Sequence, residues 1–149
     1  MSKSATLQIY YPGACISCNH YRDRTRDGGE YVRAEAKAWM DALGWMIKTH
    51  HIEDWRLPLK VTCSGRFKNH ASTPDLSNLS KCTLDAIQEA TGINDRNMRW
   101  HDGDMTFDKD AEPELTIKIE EAFIVDGKII DRKADTPVTE ALCESGQPC

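Results

Sequence analysis

The sequence predicts an α/β (α+β) fold, a two-layer sandwich in the order β-α-β-α-β-β with helices on one face of a small mixed sheet. Three observations predict it. Leu115, Ile117 and Ile119 alternate strictly with Thr116, Lys118 and Glu120, the mark of a half-buried strand. Two stretches, residues 32–48 and 75–91, place apolar residues at helical spacing. Short β-like runs bounded by Pro and Gly separate them. At 149 residues, 40% hydrophobic and 29% charged, the chain is long enough for one domain with a real core.

In chain order, Leu7-Gln8-Ile9-Tyr10-Tyr11 reads as a first strand ended by the turn Pro12-Gly13. A loop over residues 14–27 follows. In it Arg22, Arg24 and Arg26 alternate beside His20 and Tyr21, as phosphate contacts or as solvated charges. Val32, Ala36, Trp39, Leu43, Met46 and Ile47 then mark one face of the first helix. Trp45 points off that face, and His50 and His51 suit the negative end of the helix dipole. The run Leu57-Pro58-Leu59-Lys60-Val61-Thr62-Cys63 reads as a strand, with Arg66, Lys68, Asn69 and His70 in a polar loop beyond it. After the second helix, residues 98–107 alternate weakly, with a turn expected at Asp102-Gly103. Asp126-Gly127 between Ile124-Val125 and Ile129-Ile130 is a hairpin signal. These elements make residues 1–131 one domain and residues 132–149, polar with two prolines, a mobile tail.

No apolar run is long enough to span a bilayer, and the amino terminus carries no signal-peptide pattern, so a cytoplasmic location is expected. The net charge of −5 is unevenly spread: 11 Lys/Arg against 7 Asp/Glu in residues 1–70, and 8 against 17 in residues 71–149. A polyanion responds to local potential, so a basic half beside an acidic half permits a phosphate-binding face next to a carboxylate cluster. The cysteines at 15, 18, 63, 82, 143 and 149 read as thiols, Cys63 and Cys82 as small core residues. Cys15, Cys18 and His20 supply three of the four ligands a structural zinc site needs, with Cys143, Cys149 or a distant histidine as the fourth. Two loop cysteines is the favoured reading.

The second helix carries the chemistry. Pro74 keeps Thr73 extended, Asp75 is a good N-cap, and Leu79, Cys82, Thr83, Ala86, Ile87 and Ala90 recur at helical spacing until Gly92. Asp75 and Asp95 therefore bracket one helix, with Asn78, Lys81 and Asp85 on its polar face. Two carboxylates from separate elements suffice for Mg²⁺, which keeps several waters. Such a site activates water and offsets charge in phosphoryl transfer, and Lys81 is placed to face the same phosphate. From spacing alone, the cap is the better reading of Asp75.

The run Pro74-Asp75-Leu76-Ser77-Asn78-Leu79-Ser80-Lys81-Cys82-Thr83-Leu84-Asp85-Ala86-Ile87, followed by Ile93-Asn94-Asp95, resembles the signature of the RusA family of Holliday-junction resolvases. Ser17, Asn19, Tyr21, Gly28-Gly29, Tyr31, Ala36, Ala38-Trp39 and the strand near Leu115 fit the same pattern, so the resemblance spans residues 7 to about 120. It implies a homodimeric, Mg²⁺-dependent crossover junction endodeoxyribonuclease (Mn²⁺ an alternative ion) that cuts four-way DNA by paired incisions in recombination and repair. A two-fold enzyme suits a nearly two-fold substrate. A phage or prophage source belongs to the same expectation.

Residue by residue, the resemblance makes Asp75, Lys81 and Asp95 catalytic, and Asp75 and Asp95 metal ligands. Asn19, Arg22, Arg24, Arg66 and Lys68 become DNA contacts. The chain departs from the pattern twice. Ser77 stands where a second aspartate is expected and is a neutral, weaker ligand; Asn94 replaces the first member of the acidic pair. Asp85, Asp102 and Asp104 are the acids available to compensate. A catalytically weakened branched-DNA-binding module, and more remotely a zinc-stabilised interaction protein, are the rival expectations.

Overall fold

The computed structural model describes residues 3–125 and 128–130. Alternation builds β1 (Ser4–Tyr10), in which Ala5, Leu7 and Ile9 are buried and the residues between them exposed. The basic stretch read as a loop contains a two-stranded ribbon instead. Here β2 (Arg22–Arg24) pairs antiparallel with β3 (Glu30–Val32), so Val32 belongs to a strand and not to the first helix. The ribbon is almost wholly exposed and has no buried face to imprint alternation on the sequence, and for that reason the pattern gave no strand signal. Its turn closes through Gly28, whose φ of 85° lies where glycine is favoured.

Helix α1 (Ala34–Lys48) buries Ala36, Trp39, Met40, Leu43, Gly44 and Ile47; of the predicted stripe Met46 is only half-buried, and Met40 and Gly44 join it. Trp39 is fully buried, and its indole Nε1 donates to the Tyr10 carbonyl at 2.9 Å, which pins the helix to the end of β1. Trp45 is 71% exposed, off the main face as its position predicts. The following strand is longer than expected. Strand β4 (Leu59–Phe67) alternates buried and half-buried residues throughout and takes Arg66 out of the loop into the sheet.

Helix α2 (Ser80–Thr91) ends at Gly92, where φ is 78° and the glycine amide bonds the Gln88 carbonyl at 2.8 Å. Strand β5 (Met98–Phe107) is continuous where a turn was expected at Asp102-Gly103. That dipeptide lies in an irregularity of the ladder. Cys63 pairs with Asp102 and Gly65 with Met105, so β5 carries an extra residue, and the Asp104 amide bonds Ser64 Oγ at 3.1 Å. A β-carbon on Gly103 would collide with that hydroxyl and crowd the Cys63 carbonyl. Strand β6 (Glu114–Glu121) buries Leu115, Ile117, Ile119 and Glu121. Strands β7 (Phe123–Val125) and β8 (Lys128–Ile130) pair antiparallel on either side of Asp126-Gly127, as the hairpin signal implied. The tail expected at 132–149 lies outside the described residues.

The main sheet has the order β1-β6-β4-β5 and is mixed: β6 is antiparallel to both β1 and β4, and β4 is parallel to β5. One face packs into a core shared with α1 and α2, where Leu59, Val61, Leu115, Ile117 and Ile119 are fully buried. Each such side chain contributes about 1.5–3 kcal/mol by leaving water. No helix among the described residues is long and apolar enough to cross a membrane.

Candidate active site along the crossover from β4 to β5

Parallel strands cannot be joined by a hairpin, so the chain between β4 and β5 must return across the sheet. That crossover contains every residue expected to be catalytic. Asp75 caps it as predicted: its Oδ1 accepts from the Ser77 amide at 3.2 Å and from Ser77 Oγ at 2.8 Å. The turn it caps is a 3₁₀ segment, Leu76–Leu79, which runs into α2. A three-residue repeat suits this stretch because it sets Leu76 and Leu79, both buried, on the same side.

Lys81 and Asp95 are brought together. Lys81 Nζ lies 3.6 Å from Asp95 Oδ2 and 3.5 Å from Asp85 Oδ1, and Gln88 Oε1 accepts from the Asp95 amide at 3.1 Å. The other oxygen of Asp85, Oδ2, accepts from the Tyr21 hydroxyl at 2.7 Å and from Arg22 Nη2 at 3.0 Å. Tyr21 is 2% exposed. Burial, reinforced by the hydrogen bond to Asp85, pushes its hydroxyl above the ordinary value, so it remains a donor.

Asp75 lines a groove of about 500 Å³, with Ser17, His20, Ser72, Thr73 and Asn78 among its other walls. Among the described residues no three His, Cys, Asp or Glu side chains converge as metal ligands do. That covers Cys15, Cys18 and His20 as a set of three. Asp102 accepts from Trp100 Nε1 at 2.8 Å, and Asn94 is turned onto the Arg96 amide at 2.9 Å.

The five residues expected to touch DNA lie in different settings. Asn19 and Arg24 are exposed, on the loop before β2 and on β2 itself. Arg22 is paired with Asp85 and, at 3.3 Å, with Glu30. Arg66 donates to the Glu112 carbonyl at 2.9 Å and faces Glu114 at 3.8 Å, and Lys68 lies 3.6 Å from Glu112. Sequence reasoning assigned no role to Tyr21 in this network and treated Asp85 only as a spare acid. The i,i+4 spacing of Lys81 and Asp85 was the available signal.

No curated protein matches the chain. A family model described as endodeoxyribonuclease RusA matches residues 16–120, which takes in the loop of Asn19, the ribbon, both helices and the strand pair that flanks the crossover. By that match over more than half its length, the chain belongs to the RusA endodeoxyribonuclease family.

Proposed function

We propose that the protein resolves four-way DNA junctions by metal-assisted phosphodiester hydrolysis, acting as a homodimer in recombination and repair. What carries the reading is the family match, together with the Lys81 ammonium held beside Asp95. Asp75, Lys81 and Asp95 are its working residues. The donor chemistry at Asp75 suits Mg²⁺: both contacts of its carboxylate fall on Oδ1, leaving Oδ2 and the Ser77 hydroxyl as hard oxygen donors. Mg²⁺ is commonly held by one or two carboxylates, its own waters and substrate phosphate oxygens. When bound, the ion would supply an activated water and offset phosphoryl charge.

The chain's own groups do the positioning. The Ser77 contacts fix the orientation of the Asp75 carboxylate at the lip of the groove. Lys81 lies one and a half turns further along the same crossover and presents a positive charge to a phosphate of the strand being cut. Asp95 restrains that charge. Asn19 and Arg24 on the exposed ribbon side meet the phosphates of a junction arm.

A second reading, a branched-DNA-binding module with weakened chemistry, is favoured by one observation. The Ser77 hydroxyl now donates to Asp75, at the position where the family motif expects another acid. Incubating a synthetic four-way junction and a linear duplex with protein and Mg²⁺ or Mn²⁺ separates the two. Junction cleavage that is lost in Asp75→Asn and Asp95→Asn supports the nuclease. Binding without cleavage under either ion leaves the module.

A further inference from the structure

Asp85 has a feature that a surface counter-ion does not need. Its two oxygens are divided between different tasks. Oδ2 accepts from two groups of the amino-terminal segment, the buried Tyr21 hydroxyl and the Arg22 guanidinium, while Oδ1 faces Lys81. The Asp85 side chain is only 14% exposed, whereas Lys81 is 53% exposed. The carboxylate is therefore fixed on the protein side and offers one oxygen to a mobile cation. An exposed lysine alone samples many rotamers. One held between two carboxylates of different elements, Asp85 on α2 and Asp95 before β5, is confined to a narrow volume.

We propose that Asp85 is the positioning residue for Lys81, clamped by Tyr21 and Arg22 so that the Lys81 ammonium is held between Asp85 and Asp95. The assignment rests on the nuclease reading for its consequence in catalysis, but its geometric content does not. Arg22, although exposed, then serves the site by holding Asp85, where sequence reasoning had it grip DNA. The amino-terminal ribbon becomes a support for the crossover as well as a neighbour of it. An aspartate acting through Lys81 need not touch substrate. Its removal should slow the chemical step and leave junction affinity in place.

The experiment uses the full chain and two readouts: single-turnover cleavage of a four-way junction with Mg²⁺, and NMR order parameters of the Lys81 side chain without DNA. Asp85→Asn should slow cleavage about ten- to a hundredfold, with junction affinity moved less than about threefold. The same variant should lower the Lys81 side-chain order. Tyr21→Phe keeps the carboxylate and loosens its anchor, so it should show a smaller loss in both readouts and serves where Asp85→Asn fails to fold. Glu89→Gln, on the face of α2 that meets Lys37, is the control and should change neither. Unchanged Lys81 order in both Asp85→Asn and Tyr21→Phe, or in Tyr21→Phe alone where only that variant folds, overturns the assignment whatever the rates do. Wild-type protein that never cuts defeats the nuclease reading, and the order parameters still decide this one.

Discussion

Lys81 Nζ stands between Asp85 Oδ1 at 3.5 Å and Asp95 Oδ2 at 3.6 Å, one acid on its own helix and the other beyond the helix end. Neither distance is that of a tight, buried pair, and an exposed lysine in such a position contributes little to stability. Lys81→Met is therefore expected to leave the melting temperature within a few degrees of wild type. Junction cleavage should fall by about a hundredfold or more, as for loss of a group that stabilises transition-state charge. A variant that melts far earlier but still cuts would show the lysine to be structural.

Ser77 stands where the resemblance to the family leads one to expect a second aspartate. Its hydroxyl donates to Asp75 at 2.8 Å, so Ser77→Asp replaces a hydrogen bond by a second carboxylate beside the first. Without divalent ions the two acids repel and stability should drop by about 1 kcal/mol. Added Mg²⁺ should restore it and, under the nuclease reading, raise the cleavage rate at limiting Mg²⁺ about tenfold. Thermal melts with and without Mg²⁺, alongside a metal titration of cleavage, check both parts.

Glu121 offers a test of the fold by pH. Burial opposes its ionisation, but the amides of Arg56 at 2.6 Å and Lys3 at 3.0 Å outweigh that and hold its carboxyl below the ordinary value of 4.5. A depressed native value means the stabilisation is complete above the unfolded-state value and is lost as pH falls through the native one. Glu121→Gln should cost about 1–3 kcal/mol at neutral pH. Its deficit against wild type should narrow as pH falls below 4.5. Denaturant midpoints across that window give the comparison, and a constant deficit would count against the two amide contacts.

Thiol reactivity should sort the cysteines by environment. Burial, with Asp102 adding, pushes the Cys63 thiol up to about 12; burial, with Asp85 adding first, does the same for Cys82. Cys18 is exposed. Alkylation of native protein near pH 8, read by peptide mass mapping, should label Cys18 at least about a hundred times faster than Cys63 or Cys82. Denaturant should remove the difference.

Where burial imposes a period on the sequence, the structure was legible. The stripe Ala36, Trp39, Leu43, Ile47 and the alternation Leu115, Ile117, Ile119 gave α1 and β6 nearly to their ends, and Gly92 stopped α2 where its φ demands glycine. The ribbon of β2 and β3 and the exposed length of β5 were not legible because neither buries a regular face. At Asp102-Gly103 a bulge carries the residues of a turn. For the candidate site the motif supplied names of residues, but not their arrangement. The pattern around Asp75 and Asp95 cannot say that Asp75 turns its carboxylate onto Ser77 while Asp95 faces Lys81. Tyr21 and Asp85, 64 positions apart, have no local signal that joins them.

The bulge at Gly103 has a consequence for how the molecule behaves in a crowd of its own copies. Strand β5 is an outer strand of the sheet and runs for ten residues, a length that would offer a neighbour's backbone a long row of free amides and carbonyls. The extra residue breaks that row into two short pieces with different registers, and Asp102 and Asp104 put negative charge on either side of the break. A mutation that restored an even ladder there, by deleting Gly103, would turn a protected rim into an adhesive one. It should show itself as turbidity on refolding before it shows itself as lost activity.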